Sequence, residues 1–230
     1  MYARKHTRRI NTCKVIDVSE TKSAPVRSRN ARGDGARLRD EIIEAATALL
    51  QTGTAESVTL RAVAREARIT PPAIYRHFDD LDAVLRAVID IAFDELAAFL
   101  REASAGSSTV VRLRAVCHAY LDFASEHPQR YRLMFGGVWN AAEATAKSPE
   151  EFAARGEIGL DAFRVLSNAV DECVRGGESS SEDPFGDAVA LWVALHGLAG
   201  LRQTTPVFPW PADVEDRLVD ALARVGSCRR

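Results

Sequence analysis

Residues 59–78, TLRAVAREARITPPAIYRHF, read as two short helices joined by a tight turn. Leu60, Val63, Ala64 and Ala67 recur at i, i+3, i+4 and i+7, which is one apolar face of a helix. Thr59 stands at the N-cap position, where a hydroxyl can accept from a first-turn amide. A second helix begins almost at once. Thr70 can cap it, and Pro71 and Pro72 occupy first-turn positions whose amides need no intrahelical partner. Ile74 and Phe78 form its inward i, i+4 pair, which leaves Thr70, Ala73, Tyr75, Arg76 and His77 on faces that packing does not claim.

The flanking segments supply what such a pair needs for support. Leu38, Ile42, Ile43, Ala46, Leu49 and Leu50 follow helical spacing between Asp34 and Leu50, and Gly53 is a suitable stop. After Phe78, Asp79 and Asp80 offer a cap for a longer helix with the stripe Leu81, Val84, Leu85, Val88, Ala92, Leu96 and Phe99. Its end is marked by Ser104-Ala-Gly-Ser-Ser108.

Helical spacing continues to the end of the chain. Leu113, Val116, Cys117, Tyr120, Leu121 and Ala124 form one amphipathic helix, closed at Pro128, and Tyr131 to Phe135 is a short apolar segment before Gly136-Gly137. Residues 141–149 read as a loop, and Phe152, Leu160, Phe163, Leu166, Val170 and Val174 as the next helix, ending at Gly176-Gly177. Glu178 to Pro184 has the composition of a linker. From Phe185 to Gln203 the apolar residues cover nearly the whole circumference, so this helix must be covered on more than one side, and Gly197 and Gly200 would admit a second helix closely. A last helix carries Val214, Leu218, Leu222 and Val225. Period-2 alternation is nearly absent, so the class is all-α.

The net charge of −2 conceals a gradient: residues 1–39 hold eleven Lys and Arg against three acids, next to the helix pair. Residues 1–33 are rich in Arg, Ser, Thr and Lys, and are expected to form a disordered basic arm, either a phosphate-seeking tail or a solvated extension. Cys13, Cys117, Cys173 and Cys228 show no metal spacing and read as reduced intracellular thiols. No secretory signal is evident at the start. The longest uncharged apolar run, Ala188 to Leu201, is shorter than the roughly 18 residues of a spanning helix, so a cytoplasmic location without membrane contact is expected.

The segment from Leu38 to Leu85 resembles the TetR family of bacterial transcriptional regulators: a bracing helix, TLRAVAREARIT, PPAIYRHF, then an acid-capped helix ending DAVL. The second half is similar, more loosely, to TetR-family domains marked by Trp, His and Gly in a late helix, here Trp192, His196 and Gly197, and by YLDFASEHPQRYRLMF at 120–135. The resemblance implies a three-helix helix-turn-helix DNA-binding domain at 34–80. It implies an antiparallel helical bundle at 81–230 for effector binding and dimerisation. The expected activity is that of a homodimeric repressor, released from a palindromic double-stranded operator by a small-molecule effector. Carried over by position, Thr59 and Arg61 would meet phosphate or a base edge, Thr70, Pro72 and Ala73 would face the major groove, and Tyr75 and His77 would bond phosphates. Arg76 reads equally as a contact or a solvated charge. The family usually has Gly where this chain has Arg68, and often Lys where it has Leu81.

Tyr120, Phe123, Tyr131, Met134, Trp139, Phe163, Trp192 and His196 are candidates for an effector pocket, and each is also readable as ordinary core. His118, His127 and His196 have no second ligand at i+3 or i+4, so no metal or cofactor is called for. No GxSxG, Gly-rich loop or HExxH points to an enzyme. The rival class is an all-helical ligand-binding or interaction protein, which leaves residues 59–78 without a role.

Overall fold

A computed structural model of the 230-residue chain describes residues 34–52, 58–105, 108–136 and 159–226. The basic arm, the Gly53 stop, the 141–149 loop, Trp139, Phe152, Cys13 and Cys228 lie outside those residues. Among the described residues every helix is of the α type, and the one extended pairing is an isolated antiparallel bridge between Ser179 and Val225.

The first core is built by α1 (Asp34–Thr52), α2 (Leu60–Glu66), α3 (Pro71–Ile74) and the start of α4 (Leu81–Ala103), with Leu133 added from a later helix. Ile42, Ala46, Val63, Ala64, Ile74, Phe78 and Val84 meet there with almost no exposed surface. Thr59 caps α2 by accepting from the Ala62 amide at 3.1 Å, and Asp80 caps α4 by accepting from the Ala83 amide at 2.8 Å. Thr70 occupies the N-cap position of α3 but makes no side-chain cap bond there, contrary to the expectation from sequence. The second helix is also shorter than its spacing suggests. It spans four residues, after which Tyr75, Arg76 and His77 form a tight turn in which the His77 and Phe78 amides both donate to the Ile74 carbonyl.

The turn between α2 and α3 is where Arg68 departs from glycine. The Ile69 amide donates to the Ala64 carbonyl and the Arg68 amide to the Arg65 carbonyl, at 2.9 and 3.1 Å, which is the double closure of a Schellman motif. That closure requires a left-handed residue one step past the cap, and Arg68 takes it with φ of 56°. Leu81 is half-buried against this same core, so packing occupies the place where a lysine would reach outward.

The second core gathers α4 (its far end), α5 (Thr109–Glu126), α6 (Pro128–Phe135), α7 (Leu160–Arg175), α8 (Pro184–Thr204) and α9 (Val214–Leu222). Helix α5 packs against all of the others, and its buried residues, among them Leu113, Val116, Cys117, Tyr120 and Phe123, accordingly surround much of its circumference. Burial keeps the Cys117 thiol protonated and pushes Cys173 up to about 11, so both are inert core thiols.

Residues 178–183 are more than a linker. Ser179 bridges Val225 and donates its hydroxyl to the Ala223 carbonyl at 2.7 Å. Buried Ser181 donates to Asp187 at 2.6 Å, and Arg224 pairs with the same carboxylate at 3.1 Å. This ties the start of α8 to the end of α9.

One polar cluster lies within the second core. The Tyr131 hydroxyl and His196 Nδ1 are 2.6 Å apart, and the Tyr120 hydroxyl lies 3.2 Å from that of Tyr131. Phe135 packs on the imidazole with centroids 4.5 Å apart, so His196 is a satisfied histidine at the rim of the core. Burial holds its pKa below the ordinary 6.5.

Two measurements follow from these local structures. A left-handed L-residue costs about 1–2 kcal/mol, of which glycine's extra unfolded-state entropy offsets roughly 0.5–1 kcal/mol. Arg68→Gly should therefore raise the melting temperature by a few degrees, and Arg68→Val should lower it, in circular-dichroism melts. For His196 the unfolded chain binds a proton more readily than the folded one, so its stabilising contribution is complete above pH 6.5 and is lost as pH falls below that value. The decline in melting temperature on acidification should be shallower in His196→Gln than in the parent protein; an identical slope would remove His196 from the acid response.

Candidate nucleic-acid interface

The surface left over by the first core is formed by α2, α3 and the turn after α3. Thr59, Arg61, Thr70, Pro72, Tyr75 and Arg76 are exposed, and Ala73 and His77 are half-buried. Tyr75 has 58% of its surface open, although its neighbour Ile74 is fully buried. That contrast over a single step is produced by the helical turn, which sends Ile74 and Phe78 inward and the intervening residues outward. Arg39 of α1 lies over the Phe78 ring, 5.1 Å from its centroid, and so braces this corner from outside. The backbone at Gly35 also approaches it closely, since a Cβ there would sit 3.9 Å from His77 Cε1.

The chemistry offered by this surface is uneven. Thr59 uses its oxygen to accept from Ala62, which leaves its hydroxyl hydrogen available to an acceptor outside. The start of α3 has little to give through its backbone: Pro71 and Pro72 carry no N–H, and the Ala73 amide donates to the Thr70 carbonyl at 2.9 Å. Donors on this face are therefore side chains, namely the Thr70 and Tyr75 hydroxyls, the His77 imidazole and the guanidinium groups of Arg61 and Arg76. Each suits a phosphate or a base edge.

A second feature lies in the other core. Leu100, Val116, Tyr120, Ala162, Phe163, Leu166, Trp192 and Leu195 enclose an apolar cavity of about 10 Å³ between α4, α5, α7 and α8. Phe163 and Trp192 form one wall with ring centroids 5.0 Å apart and planes at 31°. Of the pocket candidates, Tyr120, Phe163 and Trp192 line this space. Phe123, Tyr131, Met134 and His196 do not, since Phe123 packs against Phe99 and His127, and Tyr131 turns its hydroxyl to His196. Leu100, Val116, Ala162, Leu166 and Leu195 were missed because an aliphatic side chain at helical spacing gives no sign of which neighbour it faces.

The chain is similar to known proteins over both cores. Residues 42–88 match the family model described as bacterial regulatory proteins, tetR family, and residues 113–225 match that described as tetracyclin repressor-like, C-terminal domain. An uncharacterised HTH-type transcriptional regulator of Mycobacterium tuberculosis is 29% identical over 171 residues, covering 72% of this chain and 70% of that protein. A solved structure of a protein of unknown function from Rhodococcus sp. RHA1 is similar at 27% identity and a TM-score of 0.66, over 81% of this chain and 94% of that one. A TetR family transcription regulator from Marinobacter aquaeolei VT8 shares the fold at 18% identity, with a TM-score of 0.57 over 84% of this chain and 97% of its own. The two family matches together span more than half of the sequence and fall on the two cores in the family's order, so this protein belongs to the TetR family and is a DNA-binding transcriptional regulator.

Proposed function

We propose that the protein acts in the bacterial cytoplasm as a homodimeric repressor that reads a palindromic operator and is released from it by a small molecule. The observation that carries the DNA contact is the outward set Thr59, Arg61, Thr70, Tyr75 and Arg76, held on a rigid buried base of Val63, Ile74 and Phe78. In this reading Thr70, Pro72 and Ala73 face the major groove, while Thr59, Tyr75 and His77 donate to phosphates. Arg61 supplies charge at a phosphate or a guanine edge, and Arg76 adds charge beside it. Two copies related by a two-fold axis would place these surfaces about 34 Å apart, or a multiple of it, to match successive major grooves.

Dimerisation is supported by the outer face of α8. Phe185, Val189, Val193 and Leu201 are all exposed, and with Gly197 they make a continuous i, i+4 ridge along the helix. A Cβ added at Gly197 or Gly200 would meet nothing within 4 Å, so the ridge has an open notch. By length and composition alone α8 is apolar enough to cross a bilayer, yet it packs on α5, α7 and α9 and bears Asp187 and Arg202 in ion pairs. A self-complementary ridge of this kind is what an isologous dimer buries, and i±4n ridges of two copies interdigitate at roughly −50°. The cavity beside Trp192 is the seat of the effector in this reading.

Operator sites selected from random duplexes should be two-fold symmetric. On such a site Tyr75→Ala combined with His77→Ala should weaken binding by roughly tenfold to hundredfold through lost hydrogen bonds, with the melting temperature retained. Arg61→Gln should lower the slope of log K against log salt by about 1, whereas Tyr75→Phe should leave that slope unchanged. Full-strength binding by the Tyr75/His77 double variant would remove those residues from the interface. Val193→Glu, which places a charge on the α8 ridge, should give a folded monomer by analytical ultracentrifugation and lose cooperative operator binding; a dimer that survives it would place the interface elsewhere.

A further inference from the structure

Arg68 holds the turn between α2 and α3 in the left-handed region, with φ of 56°, where glycine would sit at no steric cost. Among the described residues one other non-glycine takes that conformation, Arg224 with φ of 51°. The two differ in what their guanidinium groups meet. Arg224 pairs with the Asp187 carboxylate at 3.1 Å, so its charge is answered inside the fold. Arg68 is exposed and makes no ion pair among the described residues. Strained residues cluster at functional sites, and what Arg68 lacks is an anion.

Its surroundings say which anion fits. Arg61, Arg65 and Arg68 follow one another at i, i+4 and i+7, so their backbones lie along one side of α2, away from Val63, Ala64 and Ala67, which pack inward. All three are exposed, and between Thr59 and Thr70 they stand against a single acid, Glu66, a local charge of +2. The second core uses its arginines differently: Arg112, Arg114, Arg130 and Arg202 each bond a carboxylate of another helix. A row of guanidinium groups open to solvent suits a row of phosphates. The start of α3 gives Arg68 a particular place in that row. Helix N-termini ordinarily hold phosphate through free amides, but Pro71 and Pro72 have none, and the Ala73 amide donates to the Thr70 carbonyl. Arg68, two residues before Thr70, brings to this end of the turn the positive charge that the backbone does not supply.

We infer that Arg68 is a DNA contact in its own right, donating to a backbone phosphate beside the start of α3 and extending the row begun by Arg61 and Arg65. The assignment rests on reading the α2–α3 face as the DNA surface. In this arrangement the turn gives up stability and the duplex gains a contact.

The experiment measures binding of the full-length protein by fluorescence anisotropy over a series of salt concentrations. The probes are a duplex selected from a random pool by the parent protein and an unrelated duplex of the same length. Arg68→Gln, which removes the charge and keeps a long side chain, should weaken binding to both duplexes by roughly tenfold. It should also lower the slope of log K against log salt by about 1 for each copy bound. Arg68→Lys should restore the slope. Arg68→Gly should lose the same slope while its melting temperature rises, which separates a lost contact from a damaged fold. A parent-like slope in Arg68→Gln or Arg68→Gly, or failure of Arg68→Lys to restore it, overturns the assignment. So does a loss confined to the selected duplex, which would make Arg68 a reader of bases. The Tyr75→Ala, His77→Ala double variant is measured alongside. If it binds as the parent does while Arg68→Gln is weakened, the α3 contacts fall and Arg68 stands; the opposite result removes Arg68 alone.

Discussion

Helix α4 belongs to both cores at once, and the rest of the molecule is arranged around that fact. Val84, Leu85 and Val88 pack with Ile42, Val63 and Ile74 at one end, and Leu96 and Leu100 pack with α5 and α7 at the other. At 1.5 Å per residue its 23 residues span about 34 Å, with an aspartate cap fixing the start. Such a rod has little freedom to bend between its two anchorages. Leu100, which lines the cavity, and Leu85, in the core beneath the surface that carries Tyr75, thus lie on the same rod.

Helix α6 makes the same connection over a shorter distance. Leu133 is buried in the first core, while Tyr131, two residues earlier, is buried in the second and bonded to His196 of α8. The Arg130–Glu95 pair fastens α6 to α4 at 3.1 Å. At the other side of the bundle the attachment is of a different kind. Helix α9 buries Val219 alone, and it is held to its neighbours by Arg114 with Asp216 and Asp220, and by Arg202 and His118 with Glu215. Exposed ion pairs contribute only about 0–1 kcal/mol each, so they supplement the apolar packing of Val214, Leu218, Val219 and Leu222 and the tie of Ser179 to Ala223 and Val225.

How much of this can be read in the sequence depends on how local the cause is. The Thr59 cap, the inward Ile74 and Phe78, the run of α4 and the awkward φ of Arg68 all follow from residues within one or two turns, and all are legible. The length of α3 is not, because two prolines start a helix without fixing how far it runs. The role of residues 178–183 is hidden for another reason. Ser179 and Ser181 look like loop composition, and their partners at Ala223 and Asp187 are set by how α8 and α9 pack. The cavity lies between: its aromatic residues attract notice, but whether Tyr131 faces the cavity or His196 is decided by the angle of a short helix that must also seat Leu133.

The closed state of the cavity bears on how a signal could pass. A ligand shifts a conformational equilibrium only by its difference in affinity between the two states. A space of about 10 Å³ gives a ring-sized molecule almost no affinity for the shape described here, so that difference is large by construction. In the proposed reading a ring-sized effector must select an opened arrangement of Leu100, Phe163 and Trp192, and two of the helices that carry these residues have other contacts. Leu100 is on α4, which supports the candidate DNA surface, and Trp192 is on α8, which presents the apolar ridge. In that reading the helices that an opening would move are the ones that carry the surface proposed to read DNA and the surface proposed to pair two copies.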